Sequence, residues 1–369
     1  MGVVVFLMQE GGVDRRQPVE VTVGHKGRVA PAGRPLGAGK PLESLEVSGA
    51  PQPFSVKRIL LASPRGYCAG VDRAVQTVER ALDLYGPPVY VRKEIVHNKN
   101  VVAELRKRGA VFVDELDEVP EGSVTVFSAH GIAPSVREEA KRRQLKTIDA
   151  TCPLVTKVHV EARKFASQGY TIVLVGHAGH EEVEGTMGEA PEQIVLVEDE
   201  DDVERLQVEN PEKVAYITQT TLSVDETAKV VAKLRERFPK IVGPRREDIC
   251  YATTNRQAAV KKIADRCDLV LIVGSRNSSN SARLVEVARA CGTEAYLIDS
   301  VRELDERWLE GKETVGLSSG ASAPEHLVQE LLAYFRQRGV TEIEEVEATS
   351  EDVRFMLPKE MREALQAAA

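Results

Sequence analysis

No stretch of this 369-residue chain approaches the roughly 20 uninterrupted apolar residues that a membrane span needs. The opening apolar run, Val3 to Met8, is short and has no basic residue ahead of it, so neither a span nor a secretory leader is expected. Positive charge is not in excess: 49 Lys+Arg stand against 57 Asp+Glu, a formal net charge of −8, with no sustained basic stripe. Such a balance argues against a protein that works by holding a phosphate backbone, and nucleic acid is not an expected partner. Cysteine is sparse, with 5 residues at wide spacing, unlike the dense even framework of a small secreted domain. A reducing, cytoplasmic setting follows. There is also no Gly-x-Gly-x-x-Gly after a strand, so direct nicotinamide binding is not indicated.

The composition that is present, 42% hydrophobic, excludes disorder of the whole chain and allows two or three compact units at roughly 100–200 residues each. Residues 1–56 stand apart, rich in Gly and Pro with one weak alternating run around Val19–Val23, and read as a flexible extension. Its Gly33–Pro41 segment has the look of a phosphate loop, but the glycine spacing is too long and Pro41 replaces the Ser/Thr that would hold magnesium.

From Lys57 onward the chain repeats itself three times. Each repeat begins with a cysteine, Cys68, Cys152 or Cys250, followed by a stretch of helical periodicity. Some twenty residues after the cysteine a β-rich run follows, starting at Val89, Ile172 and Val270. A second strand starts at Val111, Val195 and Tyr296, and a third at Val124, Val214 and Val315, the third leading into a small polar loop and a helix. The expected organisation is α/β: units over 57–151, 152–249 and 250–338, each with a largely parallel sheet, and a tail over 339–369 that either lies over the cleft as a lid or covers a sheet edge.

Parallel sheets bind ligands at the carboxyl ends of their strands. Those ends carry His97 and Asn98, His177, His180 and Glu182, Arg276 to Asn280, His130, Gln219 to Thr221, and Ser318 to Ser322. If the three units face one centre, three thiolates meet there, and sulfur is the soft ligand that selects iron–sulfur clusters, zinc or copper(I). Spacings near a hundred residues do not suit clip-type structural zinc. Three cysteines on a cubane would leave one iron open to act as a Lewis acid while electrons pass. Each cysteine opens its helix, where the dipole favours thiolate. Cys267 and Cys291 fall outside the repeated position and are expected to be buried small side chains.

The His, Ser, Asn and Thr donors of these loops suit a compact anion such as a diphosphate, with partial protonation of His97, His130 or His180 supplying positive charge. His177 lies close to the site and is equally suited to support its loop; His159, His326 and His25 read as structural or surface residues. Glu182 is the expected catalytic carboxylate, its pKa raised by nearby anions, with the Thr220 hydroxyl able to relay its proton. Glu181 and Glu184 read as solvated helix-start carboxylates.

Together the segments Pro64–Ala74, Ala150–His159, Gly176–Thr186, Gln219–Asp225, Asp248–Gln257 and Gly274–Ser281 resemble the 4-hydroxy-3-methylbut-2-enyl diphosphate reductase family, over about Lys57 to Arg362. The resemblance implies reductive removal of an allylic hydroxyl to give isopentenyl and dimethylallyl diphosphates, the last step of the methylerythritol phosphate route. It implies three units in a pseudo-threefold cloverleaf around a central iron–sulfur site, with one [4Fe-4S] cluster on Cys68, Cys152 and Cys250. It further implies Glu182 as proton donor, Thr220 near the hydroxyl, and diphosphate contacts from His97, His130, His180, Ser278, Ser279, Asn280 and Ser322. The implied electron donor is a ferredoxin or flavodoxin. One position departs from the family pattern: Glu181 stands where many members carry Pro. Two rivals remain open, a three-cysteine dehydratase of quinolinate synthase type and a non-catalytic iron–sulfur redox sensor.

Overall fold

The computed structural model describes residues 54–368. The extension expected over 1–56, with its alternating run and glycine-rich loop, lies outside the described residues except at its end. There Val56 is buried and Phe54 packs on Phe335, so the ordered fold begins before the expected boundary.

The chain opens with β1 (Arg58–Ser63), α1 (Ala69–Tyr85), β2 (Val89–Arg92), α2 (Lys99–Lys107), β3 (Ala110–Val113), β4 (Val124–Phe127), α3 (Pro134–Arg142) and β5 (Lys146–Asp149). It continues through α4 (Pro153–Ser167), β6 (Thr171–Val175), α5 (Glu181–Met187), β7 (Ile194–Val197), α6 (Glu200–Arg205), β8 (Val214–Thr218) and α7 (Val224–Arg237). The last part holds α8 (Tyr251–Ala264), β9 (Leu269–Val273), α9 (Ser279–Ala290), β10 (Glu294–Ile298), β11 (Thr314–Ser319), α10 (Glu325–Gln337), β12 (Glu342–Glu347) and α11 (Lys359–Ala368).

Local chemistry accounts for the element starts. Pro153 occupies the first turn of α4, where its missing N–H costs nothing. Asn98 caps α2 by accepting from the N–H groups of Asn100 and Val101. The interior strand β9 is a continuous apolar run with all residues buried, as a parallel strand covered on both faces requires.

Three sheets result, in strand orders β3-β2-β4-β5, β7-β6-β8 and β10-β9-β11-β1-β12, with every pairing parallel. The fold is α/β with three similar units in a pseudo-threefold arrangement. In each sheet the strand just ahead of the next cysteine joins the edge of the sheet before it: β5 precedes Cys152, an isolated bridge at Val242 precedes Cys250, and β1 precedes Cys68. This corrects the boundary at 57, because β1 pairs with β11 in the sheet of the third unit. These fourth strands were not expected, since short runs such as Lys146–Asp149 carry little apolar signal of their own.

The tail divides its contacts. β12 extends the third sheet along β1, while α11 buries Met361 in the core of the first unit. No described helix is long and apolar enough to cross a membrane.

Candidate active site

Cys68, Cys152 and Cys250 are the N-cap residues of α1, α4 and α8. Their backbone N–H groups donate to three matching carbonyls just past a third strand: Cys152 to Ala129 at 3.0 Å, Cys250 to Thr220 at 3.0 Å and Cys68 to Ala321 at 3.2 Å. The last bond joins the third unit to the first and closes the ring.

A cation one turn into each of these helices repeats the pattern. Arg73 donates to the carbonyls of Ala150 and Thr151 at 2.9 and 3.0 Å, ahead of Cys152. Lys157 donates to the Glu247 carbonyl at 3.0 Å and to Asp248 Oδ1 at 2.8 Å, ahead of Cys250. Arg256, fully buried, donates to the carbonyls of Gly66 and Tyr67 at 2.7 and 3.3 Å, ahead of Cys68. Each cysteine's helix therefore holds the approach to the next cysteine.

The three thiols point into one cavity with about 660 Å³ of space free of protein atoms, counting its mouth, a size usual for small-molecule sites. Gly70 shows how close they come, because a Cβ added there would lie 2.7 Å from Cys152 Sγ and 3.8 Å from Cys68 Sγ. Burial and the neighbouring Cys68 sulfur push the Cys152 thiol up to about 12, and the same two causes push Cys250 up to about 11. The expectation that helix starts favour thiolate is thus outweighed: desolvation exceeds the help from backbone N–H groups unless a positive group arrives. A triangle of soft donors, a side-chain-free cradle at Gly70 and, among the described residues, no fourth thiol lining the cavity fit an iron–sulfur cluster with one iron left open.

Glu182 lines the same cavity at 2% exposure. Its Oε1 accepts the Thr220 N–H at 2.6 Å and its Oε2 accepts the Thr220 hydroxyl at 3.1 Å. Burial raises its pKa to about 7, against the two Thr220 hydrogen bonds that lower it. The shift has the expected direction, with desolvation as its largest cause.

His97, His130, His180, Ser278, Ser279, Asn280 and Ser322 also line the cavity. The rings of His97 and His130 stack at 3.9 Å, with His180 edge-on at 5.3 and 6.0 Å. His180 Nδ1 accepts the Glu182 N–H at 3.1 Å, so its other nitrogen carries the proton in the neutral ring. Burial and the neighbouring histidines lower the His180 pKa to about 3, and burial with His130 also lowers that of His97. This corrects the expectation of charge on those two rings in the free protein. Ser322 Oγ donates to the His97 carbonyl at 2.9 Å, and Asn280 Oδ1 accepts from Ala321 N–H at 2.8 Å, so the donor loops also brace one another.

Other expectations fare differently. Glu181 is only partly exposed, and its Oε2 meets His130 Nδ1 at 2.9 Å. The position that departs from the family pattern is therefore the one that backs a cavity histidine. Glu184 is exposed, as expected, while Cys291 is exposed and Cys267 half-buried, so neither is the buried thiol anticipated. Arg276 is exposed and does not line the cavity. His177 donates its backbone N–H to Gln219 Oε1, a loop support. Glu94, Thr253, whose hydroxyl meets Cys250 Sγ at 3.2 Å in the cavity wall, and the three clamping cations went unseen in the sequence; only the Glu94-to-His97 spacing hinted at a pair.

The model of the LytB protein family matches residues 59–336. The chain belongs to the LytB family. A 4-hydroxy-3-methylbut-2-enyl diphosphate reductase of Acidothermus cellulolyticus is 63% identical over 316 residues, 85% of this chain and 93% of the relative. One from Streptomyces avermitilis is 58% identical over 85% of this chain and 94% of the relative. Among solved structures, the E-1-hydroxy-2-methyl-but-2-enyl-4-diphosphate reductase of Plasmodium falciparum superposes with a TM-score of 0.83 at 41% identity, covering 85% of this chain and 99% of that one. LytB proteins are iron–sulfur enzymes, which agrees with the donor set found here. The LytB match begins within β1 and ends within α10, so β12 and α11 lie beyond it.

Proposed function

We propose that this cavity reduces (E)-4-hydroxy-3-methylbut-2-enyl diphosphate to isopentenyl and dimethylallyl diphosphates. Two electrons and two protons enter, the allylic C–O bond breaks, and the hydroxyl leaves as water. The observation that carries this reading is the convergence of three thiols from helix-start cysteines, a proton-holding Glu182–Thr220 pair and a set of anion donors on one cavity.

Cys68, Cys152 and Cys250 would hold one [4Fe-4S] cluster. When bound, that group supplies electrons and a Lewis-acidic iron at its unliganded corner. The remaining work falls to this chain. Ser278, Ser279, Asn280 and Ser322, at and beside the start of α9, spread the diphosphate charge over neutral donors and a helix N-terminus. His180 offers its protonated nitrogen without needing to charge. Glu182, protonated near neutral pH, holds the proton that the departing oxygen needs, and the Thr220 hydroxyl relays it because it both donates and accepts. The electrons would come from a ferredoxin or flavodoxin in the cytoplasm. The units over 57–151, 152–249 and 250–338 would act as three walls of one site, with β1 lent to the third. Neither rival reading accounts for both the donor loops and the Glu182–Thr220 pair.

Anaerobic reconstitution with iron and sulfide, followed by the allylic diphosphate and a reduced viologen, tests the reading. Formation of the two isoprenoid diphosphates, with a change in the cluster's electron resonance on adding substrate, is the expected result. A protein that binds no iron, or that leaves the substrate intact, overturns it.

A further inference from the structure

Three histidines line the cavity, but their hydrogen bonds are of two kinds. His180 turns Nδ1 toward a backbone N–H and so is a donor on its other side while neutral. His130 and His97 turn Nδ1 toward carboxylates, Glu181 Oε2 at 2.9 Å and Glu94 Oε2 at 3.4 Å. An ionised carboxylate only accepts, so Nδ1 of each of these rings carries the proton, which leaves Nε2 a lone pair in a neutral ring. A lone pair repels a phosphate oxygen. To donate to diphosphate, His97 and His130 must each bind a second proton, and the carboxylate behind is what compensates that charge.

The surroundings support this division. His97 Nε2 is buried and has no hydrogen-bond partner. Asn277 Nδ2 donates to Glu94 Oε2 at 2.7 Å and fixes the carboxylate's aim. Although burial opposes its charge, Glu181 is held below the usual carboxylate range by His130, and Glu94 is held low by its hydrogen bond to His97. The other charged or titratable groups facing the pair are His180, edge-on to both rings, Lys93 near Glu181, and Glu182 with the three thiols across the cavity. With the rings stacked 3.9 Å apart, two cations would repel until an anion lies against them.

We propose that Glu94 and Glu181 are positioning residues that make His97 and His130 proton-accepting anchors, so that diphosphate binding draws protons onto this stacked pair. The proposal rests on the reading of the cavity as a diphosphate site and assigns the residues that tune it.

Titration calorimetry of inorganic pyrophosphate into the reconstituted enzyme, in two buffers of different ionisation enthalpy, counts the protons exchanged. The difference between wild type and variants isolates the protein's share. Glu181→Gln and Glu94→Gln keep the shape and a hydrogen-bond acceptor while removing the charge. Each is expected to weaken pyrophosphate binding about tenfold and to lower proton uptake, raising KM for the allylic diphosphate with little change in kcat. Glu181→Asp, which keeps the charge, is expected to recover part of the uptake, and Glu184→Gln on the exposed face of the same helix to behave as wild type. Wild-type affinity and proton count in both Gln variants overturn this proposal while turnover leaves the function standing. A wild-type protein that neither binds pyrophosphate nor converts the substrate overturns both.

Discussion

Arg256 donates to the carbonyl of Gly66 at 2.7 Å, linking the helix that begins at Cys250 to the loop that delivers Cys68. The two residues lie 190 positions apart in the chain, and the arginine is 0% exposed. Its guanidinium also meets the Glu351 carboxylate at 3.0 Å, so one side chain holds two cysteine approaches and the tail together. Arg73 and Lys157 do the same work at the other two joints of the ring.

Replacing Arg256 by Met leaves the Gly66 and Tyr67 carbonyls and the Glu351 carboxylate without their donor. Removal of one partner from a buried charged pair costs about 3–5 kcal/mol. Urea denaturation should show a loss of that size, with smaller losses for Lys157→Met, whose side chain is 29% exposed.

Gly70→Ala separates site geometry from fold stability. Alanine in place of glycine favours a helix by roughly 0.5–1 kcal/mol, yet the new Cβ would press on Cys152 Sγ at 2.7 Å. The crowding offsets the helix gain, so the variant is expected to melt close to or somewhat below the wild-type temperature before reconstitution while binding markedly less iron. Full iron content would show that the cysteine can give way.

Glu182→Gln retains the acceptor for the Thr220 N–H and removes the ionisable proton. Loss of a general acid costs on the order of 10²–10⁴ in rate. Single-turnover measurements should show kcat reduced by that factor with KM little changed; undiminished kcat would remove Glu182 from the chemistry.

The pKa of Glu182, about 7 because of burial, sets a pH dependence. The acid form is the donor, so kcat should fall as pH rises through about 7, and this limb should be missing in Glu182→Gln. Stability follows the same sign. The folded protein binds the proton more tightly than the unfolded chain, whose value is near 4.5, so folding free energy should decline as pH climbs from about 4.5 to about 7. Thermal melts of the two proteins across that window should converge at its acidic end.

The amino-acid sequence by itself determined the three cysteine positions, the helices they open, nine of the strands and the loops at their carboxyl ends. These are encoded in short-range periodicity and capping, which a threefold repeat makes visible. Tertiary structure alone decided that β1 closes the third sheet, that Arg73, Lys157 and Arg256 clamp the next cysteine around the ring, and that Glu181 backs His130. It also decided charge, since burial lowers the His180 pKa, raises those of the Cys152 and Cys250 thiols and puts that of Glu182 at about 7. Hydrogen bonds between distant segments and the loss of water around a side chain depend on what the other units bring, and neither leaves a mark in the local order of residues.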